Sequence, residues 1–128
     1  MFGFSKKKSA FEQQVISDGI EHASTRVAQE LLTKIGSYEV ALQFVLEEIE
    51  AASQGNKKAV DFVKNSGFSE SEYSGAMNNS FDEVDGPGGP QLMLLHFITQ
   101  ITDIDLMVSL RVAAVDKIMQ TWQLGRYS

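Results

Sequence analysis

The chain has 128 residues, no cysteine, 43% hydrophobic residues and a formal net charge of −6. That length carries one domain with a real core and is short for two; the hydrophobic content excludes a disordered chain. Without cysteine there are no disulfides, thiolate zinc sites or cysteine nucleophiles, which fits a reducing compartment.

Residues 1–8 read as a flexible basic tail, in which Lys6, Lys7 and Lys8 follow Phe2 and Phe4. Ser9-Ala10-Phe11-Glu12-Gln13-Gln14 comes next and is no apolar signal-peptide core, so a soluble cytoplasmic protein is expected. Residues 9–128 then read as one helical domain. Ser9-x-x-Glu12 has capping-box spacing, in which hydroxyl and carboxylate each satisfy an orphan backbone N–H. Phe11, Val15, Ile20, Ala23, Val27, Leu31 and Ile35 recur at steps of three to five, predicting a first helix over residues 10–35 that Gly19 weakens locally. Tyr38, Ala41, Leu42, Val45, Leu46 and Ile49 predict a second helix over residues 38–53. A short third, over 57–66, turns Ala59, Val60 and Val63 inward. A weaker fourth, over 70–78, starts at a second capping box, Ser69-x-x-Glu72. Gly36, Gly55, Gly67 and Gly125 each follow an amphipathic run, where the left-handed position after a helix favours glycine.

Residues 79–90 form an irregular loop, because Gly86-Pro87-Gly88-Gly89-Pro90 suits neither helix nor central strand. Residues 91–124 have helical composition. Between Ile104 and Val115 only Asp105, Ser109 and Arg111 interrupt the apolar run. A helix with one wet face shows a polar stripe every three to four residues; this segment nearly lacks one and should be covered on most sides. It is one helix, or it bends near Thr102, which the concentration of Thr99, Thr102, Asp103 and Asp105 favours, with Thr102-x-x-Asp105 as the cap. The window from Leu92 to Ile101 is too short for the ~20 apolar residues that span a bilayer. The expected fold is all-α: a single bundle of four to six helices with the long apolar C-terminal helix as its central element.

Charge is unevenly spread. From Asn65 to Leu110 there is no Lys or Arg, while Glu70, Glu72, Asp82, Glu83, Asp85, Asp103 and Asp105 lie there. Such a field repels phosphate backbones and attracts basic partners; its simpler role is to keep a small protein in solution. Within this stretch Gly67, Phe68, Ser69 and Tyr73 have the spacing of a helix-turn-helix core, and residues 63–77 resemble that motif. The resemblance implies DNA reading by its second helix, which needs basic and amide side chains. Here that helix offers Glu70 and Glu72, so no nucleic-acid partner is expected.

Asp18, His22, Arg26 and Glu30 form a row of i, i+4 polar residues, read as a solvated ridge. Neither His22 nor His96 has the Glu three residues earlier that a di-metal bundle requires. Asp82-Glu83-Val84-Asp85-Gly86 lacks the alternation and terminal Glu of a calcium loop, and the glycines before Gln91 lack the Lys-Ser/Thr of a phosphate loop. No cofactor or metal is expected. Arg111 stands in the most apolar turns of the chain. If buried it needs a carboxylate from another helix or chain, with Glu47, Glu48 and the acidic loop as candidates.

These readings point to a non-catalytic protein-binding protein, an acidic inhibitor, immunity-type or adaptor protein acting on a basic partner. Its expected surfaces are the acidic Glu70, Glu72, Asp82, Glu83 and Asp85, and a core or self-association set of Leu95, Ile98, Leu106, Met107, Leu110, Arg111 and Trp122. Apolar area left uncovered on the last segment would favour a homodimer. The alternative is a small-ligand binder or enzyme with a pocket near His96, Arg111 and Trp122.

Overall fold

Gly19 ends the first helix rather than merely weakening it. Its φ of 91° lies in the region that non-glycine residues avoid, and the expected helix over 10–35 is two: α1 (Ala10–Asp18) and α2 (Ile20–Leu32). The computed structural model describes residues 7–69, 71–72 and 89–128. Its further helices are α3 (Tyr38–Ala52), α4 (Lys57–Lys64), α5 (Gly89–Ile98) and α6 (Ile104–Trp122), followed by a 3-10 turn, Gly125–Tyr127. No strand occurs among the described residues. The fold is an all-α bundle.

Several helix starts follow the sequence signals, and the two ends of α6 do not. Ser9, Ser37 and Asn56 each accept the backbone N–H of the residue three positions on. At Ser69 both halves of the capping box form: Glu72 N–H donates to the Ser69 hydroxyl and Ser69 N–H to the Glu72 carboxylate; the rest of the expected helix over 70–78 falls almost wholly outside the described residues. The first exception is the cap of α6. The chain breaks over residues 99–103, and Asp103, not Thr102, caps the new helix by accepting the N–H of Leu106 at 3.1 Å. The second is the end of α6, where Gln123 takes the left-handed position with φ 54°. Gly36 and Gly55 also lie outside the left-handed region, while Gly67 is in it.

α6 is the central element. It packs against α2, α3, α4, α5 and the 3-10 turn. Its second half presents Leu110, Ala114, Val115, Ile118 and Met119, all buried, at steps of one, three and four. α2 faces it with Ala23, Val27, Ala28 and Leu31, and α3 with Ala41, Phe44, Val45 and Ile49. Leu94 and Ile98 of α5 close one side. Each of these large side chains contributes roughly 1.5–3 kcal/mol on leaving water. The first half of α6 is covered less than its apolar sequence suggests: Leu106, Met107, Val108 and Val112 are half-buried, and Ile104 is 67% exposed.

Two tertiary contacts hold the ends of the bundle. Glu12, in the first turn of α1, is fully buried and turns its carboxylate toward the α5–α6 break. At the other end, Arg126 N–H donates to Ser66 O at 2.7 Å, joining the 3-10 turn to the end of α4. The backbones meet so closely that a Cβ on Gly125 would stand 2.3 Å from Ser66 O, and one on Gly67 2.6 Å from Arg126 N. Tyr127 Oη donates to Asp116 at 2.9 Å, and Arg126 pairs with the same carboxylate.

Candidate functional site

The polar interruptions of α6 each have a distinct fate. Asp105 is exposed in the first turn, where a negative charge suits the helix dipole. Ser109 accepts from Lys58 Nζ of α4 at 2.9 Å. Arg111 Nε donates to Glu48 Oε1 of α3 at 2.6 Å. Of the carboxylates that the sequence offers Arg111, the fold supplies Glu48; Glu47 instead accepts from Gln91 of α5. Glu48 is 7% exposed and Arg111 27%, so the pair is shielded from solvent screening on the Glu48 side and partly open on the Arg111 side.

This ion pair lines a cleft of about 140 Å³ between α3, α4 and α6. One wall is made of small residues, Ala51, Ala52, Gly55 and Ala59; the facing wall is Met107, Val108 and Val112. Neither His96 nor Trp122 lines it. His96 is exposed on α5 beside the ring of Phe97. Trp122 is half-buried, and its indole Nε1 is buried without a hydrogen-bond partner among the described residues. A second cleft of about 120 Å³ lies between α1, α2 and Phe97. Its Arg26 is held by Asp18 at 3.0 Å, across the Gly19 break and past the exposed His22.

α5 presents a different surface. Leu94 and Ile98 face the core, whereas Leu92 is 59% and Leu95 41% exposed. The two leucines are one turn apart on the outer side of the helix. Ile104, also outward, is bordered in sequence by Asp103 and Asp105, both exposed. Among the described residues, Ile16 and Tyr38 are the other large apolar side chains with more than half their area in solvent.

The candidate residues of the sequence reading thus part company. Ile98 and Leu110 are core; Leu106, Met107 and Trp122 are half-buried against it; Arg111 is in the ion pair; Leu95 is on the outer face of α5. Glu72 spends its carboxylate on the Ser69 cap. Glu70, Asp82, Glu83 and Asp85 lie outside the described residues. Sequence reasoning missed Glu12, whose carboxylate accepts from Thr102 N–H and Oγ1 and from Asp103 N–H. Its only sequence signal was the capping box, which points it at its own helix. The hydrogen bond from Thr102 N–H is the main cause holding this carboxyl below the usual carboxylate range; burial opposes, and Asp103 N–H, the Thr102 hydroxyl and Lys8 assist.

Among the described residues no group of three or more His, Asp or Glu side chains is arranged to hold a metal ion, and no helix is long and apolar enough to cross a membrane. Comparison of the chain with family models, with curated proteins and with solved structures finds no match.

Proposed function

We propose that this is a non-catalytic protein-binding protein that recognises a basic partner, as an inhibitor or adaptor would. The observation that carries the reading is the outer face of α5, where Leu92 and Leu95 stand 59% and 41% exposed on an otherwise well-packed helix. A single exposed leucine is ordinary. Two on one turn, with Ile104 exposed soon after in the chain, offer apolar anchors of the kind that dominate interfaces. The net charge of −6 and the exposed Asp103 and Asp105 favour a partner whose apolar anchor is rimmed by Lys or Arg. The sequence adds Glu70, Glu72, Asp82, Glu83 and Asp85 to the negative charge of the chain. A cytoplasmic location belongs to this reading, supported by the lack of cysteine.

A homodimer built on the last helix has less support, since Leu110, Ala114, Val115, Ile118 and Met119 are covered by the chain's own helices. The test is affinity capture from the native lysate at low and moderate salt, read by mass spectrometry, with wild type and Leu92→Glu/Leu95→Glu side by side. The expected result is one basic protein near stoichiometry with wild type, weakened by salt and lost with the double variant. Recovery of the chain alone, or equal capture by both forms, would overturn the reading.

A further inference from the structure

The cleft between α3, α4 and α6 has features that neither core packing nor the α5 surface uses. We propose that it binds a small, uncharged, largely apolar molecule carrying one hydrogen-bond-accepting oxygen, of the size and class of a phenol.

Three observations carry this. The first is size: about 140 Å³ is close to the ~150 Å³ of apolar cavities that hold a benzene ring. The second is the wall. Ala52, Gly55 and Ala59 on one side bring backbone and short side chains to the surface, and Phe62, Met107, Val108 and Val112 make the rest of the lining apolar. The third is the ion pair that supplies the polar part of the lining. Arg111 gives its Nε–H to Glu48, and neither terminal nitrogen of its guanidinium makes a hydrogen bond to any described residue. Arg111 lines the cleft, so a ligand oxygen within it can accept from a guanidinium N–H that Glu48 does not use.

The charge of the ligand follows from the pair. Glu48 is nine-tenths buried and neutralises Arg111 within the cleft. An anion entering beside it would meet the Glu48 carboxylate, and a cation would meet the guanidinium; a neutral molecule meets neither repulsion. The inference rests on residues separate from Leu92 and Leu95 and stands or falls without them.

The experiment is a ¹H–¹⁵N NMR titration of the full chain with phenol, and in parallel with benzoate, repeated on Ala52→Leu and Val108→Phe, which fill the cleft from opposite walls. Phenol is expected to give saturable shifts at amides of Ala52, Gly55, Ala59 and Val108 with a Kd on the order of 1 mM or tighter. Benzoate should bind about tenfold or more weakly, and either filling variant that keeps the wild-type amide pattern should weaken phenol by about tenfold or more. Absence of saturable shifts in wild type overturns the proposal. So do shifts centred on Leu92 and Leu95, benzoate binding as tightly as phenol, or phenol binding unchanged in a folded filling variant.

Discussion

Glu12 and Thr102 are joined across 90 residues of sequence: the carboxylate accepts both the backbone N–H and the hydroxyl of Thr102 at 2.9 Å. The break between α5 and α6 leaves backbone donors with no helical partner. Asp103 N–H, at 3.2 Å from the same carboxylate, is another. Ser9 completes the joint by donating its hydroxyl to Gln100 O at 2.9 Å. One buried acid thus ties α1 to the corner of the bundle.

The joint is expected to be acid-sensitive. Glu12 titrates below its ordinary value of 4.5 in the folded chain. A depressed carboxyl contributes stability that is complete above the unfolded value and is lost as pH falls through the folded one. At neutral pH, Glu12→Gln should lower Tm on the order of 5 °C or more, because the amide presents a donor where the corner offers donors. Between pH 4.5 and the onset of acid unfolding the gap to wild type should narrow, since the protonated acid then resembles the amide. Thermal melts across this range read it; a gap of constant size would show that the carboxylate's charge is irrelevant.

Arg111 and Glu48 should be strongly non-additive. Arg111→Met leaves Glu48 buried without a cation and should cost about 1–3 kcal/mol, less than a fully buried pair because Arg111 is 27% exposed. Arg111→Met/Glu48→Met removes both charges from an apolar surrounding and should recover most of that loss. Urea unfolding of the two single variants and the double completes the cycle. A double variant as unstable as the sum of the singles would mean that the pair is not coupled.

Gly125 and Gly36 should respond oppositely to alanine. At Gly125 the φ of 56° and a Cβ position 2.3 Å from Ser66 O and 2.7 Å from Met119 predict a loss of about 2–4 kcal/mol and detachment of the C-terminal turn from α4. Gly36 has open space and no positive φ, so alanine there should be neutral or stabilise by up to about 1 kcal/mol. Denaturation midpoints decide; equal losses at both sites would point to something other than close approach.

Trp122→Phe should be nearly silent. The indole Nε1 is buried with no hydrogen-bond partner among the described residues, so removing its N–H relieves an unsatisfied donor while the smaller ring gives up packing. The two effects oppose, and the net change should stay within about 1 kcal/mol of wild type. A loss of several kcal/mol in a thermal melt would show that the whole indole volume is needed there.

Amino-acid order alone determined that the chain is helical and where several helices start, because those outcomes depend on neighbours within four residues; it did not show the break at Gly19, nor that α5 takes in Gly89 and Pro90, which the sequence places in the loop. Period-3.6 spacing marked the buried faces of α2 and α3; Ser9, Ser37 and Asn56 marked starts; and the apolar run at residues 104–115 marked the central helix. Order also showed that Arg111 needs an acid from elsewhere, since desolvating a lone charge is prohibitive. Which acid was settled only when α3 packed across α6 and brought Glu48, rather than its neighbour Glu47, onto the guanidinium. The same holds for Glu12. Locally its carboxylate has a capping partner at Ser9, but the orphan donors of residues 102–103 are stronger claimants, and they exist only because the chain breaks there. Leu92 and Leu94 are equally apolar in sequence; tertiary packing buries one and leaves the other in water. A helix has more apolar surface than its neighbours can cover, and only the positions of those neighbours decide which part remains.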